Sequence, residues 1–245
     1  MPASPAFFLL STMDQMHTIE LGGIIIQEPS TVLTNLFMAV VAFICWRKLR
    51  SKSDRNHLKL FAQLFFLFLT LSTVFGGVIG HGLMHYTGMW GKIPGWYLGM
   101  ASIAMIERVA IRQAGYFLTE KQKLYLNLFN YLEIAFFMSM SIIKLNFLYV
   151  EMHAVYGLFV IVFFFELFYY FKTRDPACKP IFTATFFGVL AMLCHAFKIS
   201  PNYYFNYNDL SHIFMSIAIV YYYKGFKALS DKGHRYVQIK AEALS

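Results

Sequence analysis

His81 and His85 stand four residues apart, so on a helix both imidazoles share one face. Asp209 and His212 are three apart, and Asn208 and His212 four apart, again on one face. Two histidines from one helix, with a histidine and a carboxylate from another, make a donor set suited to a four-coordinate zinc. This predicts metal ligation by His81, His85, Asp209 and His212. The same histidines allow a second chemistry. Histidines at the ends of adjacent helices ligate haem axially, as His81 or His85 would with His195 or His212, and that would make an electron-transfer protein. Against both stands the commoner fate of an interfacial histidine, a simple hydrogen bond. The zinc-protease motif HEXXH is absent.

Other polar residues read as structural. Glu107 and Arg108 fall at the inner end of an apolar run, where Glu107 is expected to form an ion pair with Arg112 or a neighbour of Arg108. Glu133 and Glu166 lie deeper in theirs. Each is expected to be a hydrogen-bonded tie between helices, with proton handling as the alternative. Gly76 and Gly80, four apart, and Gly77 between them, allow a close helix approach beside His81. Cys45, Cys178 and Cys194 lack CxxC spacing and read as free core thiols. The run FVIVFFFELF reads as lipid or core packing.

The elements that must position these groups follow from composition. The 245 residues are 58% hydrophobic, 19% aromatic and 14% charged. A soluble domain carries about 25% charged residues, so this chain has too little polar surface to face water all round. A bilayer core needs about 20 apolar residues per helix. Seven segments qualify: Thr31–Trp46, Leu58–His81, Pro94–Ile111, Leu124–Ile143, Tyr149–Phe171, Pro180–Phe197 and Asp209–Phe226. Each must be helical, because lipid offers the backbone no hydrogen bonds. The first is predicted to begin nearer Glu28, since Pro29 suits a first helical turn. The fold class is therefore an all-α membrane protein, a seven-helix bundle. Residues 1–27 form an N-terminal segment, 28–226 the membrane domain and 227–245 a tail. The N-terminal stretch has no basic region before its apolar residues and is not read as a cleaved signal peptide.

Basic residues orient the bundle. Eighteen of the 21 Lys and Arg fall in the loops after helices one, three and five and in the C-terminal flank. Lys92, Lys144 and Lys198 lie on the other side. The positive-inside rule places the basic side in the cytoplasm, hence N-terminus outside and C-terminus inside. This asymmetry accounts for the net charge of +8 without a nucleic-acid partner. It also puts Glu28, His81, His85, Glu151, His153, His195 and His212 near the outer face.

These residues resemble the CREST superfamily of seven-helix membrane hydrolases, which includes alkaline ceramidases, adiponectin-type PAQR receptors and the Per1 family. EPSTVLTN supplies Glu28 and, seven residues on, Asn35. GVIGH supplies His81, with Gly77 where the family has Ser. NDLSH supplies His212, with Asn208 where the family has the first His. The family's Asp after the helix-two His has no counterpart before helix three. The resemblance implies a zinc-dependent hydrolase of a lipid amide or ester. Its site would lie at the outer ends of helices one, two and seven, with His85 and Asp209 replacing the lost ligands. Glu28, Asn35 and Asn208 would be catalytic positions, with Glu28 orienting a ligand or, like Asp209, taking the proton of the metal-bound water. The implied partners are the bilayer and an amphiphilic lipid substrate. A non-catalytic receptor or assembly factor of the same fold is the alternative.

Overall fold

The computed structural model describes residues 17–50 and 57–242, with side chains as far as residue 230. Most of the N-terminal segment, together with Lys52 and Arg55 of the first basic loop, lies outside the described residues, as do the side chains of Lys232, Arg235 and Lys240 in the tail.

A hairpin precedes the bundle. Strands β1 (Thr18–Leu21) and β2 (Ile24–Gln27) pair antiparallel. Gly22 and Gly23 join them at φ of 59° and 81°, the left-handed pair that a two-residue turn demands. Ile25 N donates to Tyr86 Oη at 3.0 Å, which ties the hairpin to the loop beyond the second helix.

Seven helices follow: α1 (Pro29–Leu49), α2 (His57–Gly82), α3 (Ile93–Ala114), α4 (Glu120–Ile143), α5 (Leu148–Thr173), α6 (Cys178–Ala196) and α7 (Tyr207–Glu242). The start at Pro29 is as expected. Glu28 sits just before it in a left-handed conformation, φ 45°, held by a hydrogen bond from its N–H to His17 O. Helix α7 runs on as far as Glu242, so most of the expected tail continues the last helix. Among the described residues, five helices, α1, α2, α4, α5 and α6, are long and apolar enough to cross a membrane.

Burial follows a solvent of lipid. Helix α4 buries Asn130, Glu133 and Ser141 and exposes Leu124, Leu128, Phe129, Leu132 and Phe136. A water-soluble helix does the reverse. Helix α3 has the opposite role: residues 102–106, Val109, Ala110 and Ile111 are all buried, and it touches α2, α4 and α5. Helix α7 packs on α6 and α1, and α1 on α2, which closes the bundle. Phe65 and Phe66 of α2 meet Phe226 of α7 in an aromatic core, with centroids 6.2 Å apart in each pair.

Two helices change pitch. Helix α2 ends in a π-helical turn, Gly76–Gly82, and α5 is π-helical over Tyr156–Phe163. Such wide turns recur where a chain re-aims side chains. The glycines of the first permit close approach. A Cβ on Gly77 would stand 2.7 Å from Asn35 Cβ, and one on Gly95 3.0 Å from Gly76 Cα. The position that the family resemblance assigns to a serine is thus a contact between α1 and α2.

Candidate metal centre

The convergent ligand set lies between α3, α4 and α5. Glu107, Glu133 and His153 are all buried, and one ligand atom from each lies within 4.8 Å of the others. Helix rotation explains the meeting. Glu107 projects from the buried face of α3. Asn130 and Glu133, three apart, share the polar inward stripe of α4, and His153 lies in the first turns of α5.

The histidine is fixed through both nitrogens. His153 Nε2 lies 3.0 Å from Met100 O. A carbonyl only accepts, so Nε2 carries the hydrogen. His153 Nδ1 then faces Glu133 Oε1 at 2.6 Å. Metal-ligating histidines are held in this way, one nitrogen donating to a carbonyl and the other turned to the site. The Phe137 ring covers the imidazole, centroids 5.7 Å apart.

Glu107 is positioned from behind. Asn130 Nδ2 donates to Glu107 Oε2, and Arg108 Nε donates to Asn130 Oδ1 at 2.9 Å. The expected ion pair is therefore replaced by an asparagine between the two charges. Arg108 rests over the Tyr131 ring, 4.1 Å from its centroid. Gly157, in the π-helical turn of α5, makes room. A Cβ there would run into the Glu107 carboxylate and Ile103.

Two acceptors face inward unanswered. Glu107 Oε1 and Glu133 Oε2 are buried with no hydrogen-bond partner. Two carboxylates carry more negative charge than one imidazole offsets; Arg108 answers from behind Asn130 but donates to neither carboxylate, and unpaired buried charge costs several kcal/mol, about the penalty of desolvating one ion. A divalent cation, or retained protons, would answer both oxygens. The residues present fit a cation: one nitrogen and two carboxylate donors, orphaned oxygens, and an imidazole of defined tautomer. Glu133 is also the interhelical tie expected of it.

The residues singled out at the outer ends of helices one, two and seven have other partners. His81 Nδ1 donates to Glu28 Oε2. Burial raises the Glu28 pKa, but the His81 hydrogen bond and the charges of His81 and Lys92 outweigh it and hold the carboxyl below its usual 4.5. Burial likewise pulls the Lys92 ammonium down, against the opposing pull of Glu28. Asp209 is fully buried and caps α7, accepting from Asn206 N at 2.8 Å and from Thr34 Oγ1 at 3.0 Å. His212 Nδ1 lies 2.9 Å from the same hydroxyl. Asn35 donates to Thr31 O on its own helix, and Asn208 is buried beside Asp209. His85 is exposed, its ring edge-on to Tyr86. His195 pairs with Glu151 at 2.5 Å. The expectation of a zinc hydrolase centred on the ends of helices one, two and seven is thereby corrected. The three-ligand group lies among α3, α4 and α5 instead, because the inward rotation of α4 brings Glu133 to His153.

The signals for this centre were modest ones: the i,i+3 pair Asn130 and Glu133 in an otherwise apolar helix, and Gly157 four residues after His153. Neither shows which helices are neighbours.

Long apolar helices with polar residues turned inward define an integral, multi-pass membrane protein carrying a buried carboxylate–histidine cluster. Residues 30–231 match the family described as "Family of unknown function (DUF6962)", and the chain belongs to that family. No curated protein and no solved structure matches it, so the CREST resemblance rests on the quoted motifs alone.

Proposed function

We propose that this protein is a membrane metalloprotein that holds one divalent transition-metal ion between Glu107, Glu133 and His153. The observation that carries the reading is the pair of unpartnered, buried oxygens, Glu107 Oε1 and Glu133 Oε2, beside a histidine whose Nε2–H is already committed to Met100 O. A mixed nitrogen and oxygen donor set favours zinc, iron or manganese over calcium or magnesium. Three protein ligands leave a coordination position, and a metal so held supplies Lewis-acid polarisation and an activated water. The chain's own part is positional. Met100 O sets the imidazole tautomer, Asn130 aims Glu107, and Arg108 holds Asn130. A metal-dependent reaction at this centre belongs to the same proposal.

The orientation completes it. With the basic loops in the cytoplasm, a reporter fused after Ser245 is expected inside and a tag at the N-terminus outside; both ends on one side would remove a helix from the crossing count.

The test is metal analysis of the full chain purified in detergent after growth with zinc, iron and manganese. One equivalent of a single metal is expected, kept by His81→Ala and lost by Glu133→Gln and His153→Ala. A second reading has its own support, since 2.6 Å is an ordinary hydrogen-bond length between His153 and Glu133. In that reading the pair shares a proton, and the wild-type protein stays metal-free under every loading condition. That result would end the metal reading.

A further inference from the structure

A second interior carboxyl stands towards the other end of α5. Glu166 is 1% exposed, Gln113 of α3 2% and Cys178 of α6 0%. Gln113 Nε2 donates to Glu166 Oε2 at 3.3 Å and to Cys178 Sγ at 3.9 Å. Glu166 Oε1 and Gln113 Oε1 are both buried with no hydrogen-bond partner.

The charge environment separates this cluster from the metal centre. Among the described residues, the ionisable groups that interact with Glu166 are Cys178 of α6, Tyr169 of α5, Tyr222 of α7 and Asp175 in the α5–α6 turn. None of these is a lysine, arginine or histidine. An ionised Glu166 has no counter-ion among them, and with one carboxylate, one amide and one thiol the donor set is too poor to replace one. A proton serves instead. It neutralises the acid and converts one of two adjacent unanswered acceptors into a donor. Along α5, thirteen residues separate Glu166 from His153, about 20 Å of helix, so the two sites titrate apart.

We propose that Glu166, seated between Gln113 and Cys178, is a proton-binding site. On loading, a hydronium ion gives its proton to the Glu166 carboxylate and leaves as water; unloading is the reverse. The site stands whether or not the α3–α5 cluster holds metal.

Infrared spectroscopy of the purified full chain at neutral pH tests it. Glu166→Gln is expected to remove one carboxylic-acid C=O band, and Gln113→Leu to shift that band by removing its hydrogen-bond partner. Loss of an ionised-carboxylate band in Glu166→Gln, or no shift in Gln113→Leu, overturns the proton site. Should Glu166→Gln fail to fold, the position of the band in Gln113→Leu decides the point.

Discussion

The molecule has two polar regions rich in histidine and carboxylate, and they are built differently. Where the start of α1, the end of α2 and the start of α7 meet, each acid has a partner of its own: Glu28 has His81, and Asp209 has Thr34 and the Asn206 N–H. Among α3, α4 and α5, one histidine stands beside two carboxylates, and each carboxylate keeps an unanswered oxygen. Satisfied pairs rigidify a helix contact, whereas a surplus of inward acceptors asks for a cation. Residue types alone pointed to the first region. The hydrogen-bond balance points to the second.

The comparison breaks most sharply on metal content. His153→Ala removes one of three ligands and is expected to lose metal to below a tenth of wild-type occupancy, whereas the His81→Ala, His212→Ala double mutant keeps it. Metal loss from the double mutant with retention in His153→Ala would reverse the ranking of the two regions. Next in size is Asn130→Ala, which leaves Glu107 unaimed. Metal affinity should fall about 10- to 100-fold in a competition titration with a chelator.

Packing at the two π-helical turns gives a smaller contrast. Gly157→Ala forces a methyl group against the Glu107 carboxylate, so stability in detergent should drop by about 1–3 kcal/mol and metal retention should drop with it. Gly77→Ala and Gly77→Ser press on Asn35 and should lose stability to a similar extent, about 1–3 kcal/mol, with metal content unchanged. A Gly77→Ser protein as stable as wild type would restore a polar pocket at that position.

The smallest effect is one of pH at the outer pair. The folded pKa of Glu28 is depressed, so its contribution to stability is fully present above the usual value of 4.5 and is lost as pH falls through the lower folded value. Glu28→Gln should flatten that part of the acid limb of a stability-against-pH curve. An unchanged limb would mean that Glu28 gains nothing from His81.

Much of the scaffold was legible in the sequence. Apolar runs gave the seven helices to within a few residues at most ends, and five of the seven are long and apolar enough to cross a membrane, where a backbone has no alternative to the helix. Pro29 marked the first helix start, and the glycines of GGVIG marked a close helix approach, which Gly77 makes with Asn35 of α1. Ionisable groups in apolar segments are few and conspicuous, so Glu107, Glu133 and His153 were all noticed in the sequence, but Glu107 and Glu133 read as structural and the chemistry was assigned to His81, His85, Asp209 and His212.

Which of them meet was decided by tertiary structure. Spacing of three or four residues encodes a shared face on one helix, and it found His81 with His85 and Asp209 with His212. Glu107, Asn130 and His153 are separated by 23 residues on each side, and their meeting depends on the rotation of α3, α4 and α5 about their axes. In α4 that rotation is set by three buried positions, Asn130, Glu133 and Ser141, against lipid-facing leucines and phenylalanines that would fit many neighbours. The π-helical turn after His153 adds a further offset to the face of α5 that no 3.6-residue periodicity predicts. Local sequence determines which helices form and which residues can do chemistry, while helix rotation and the hydrogen-bond surplus at Glu107 and Glu133 determine where.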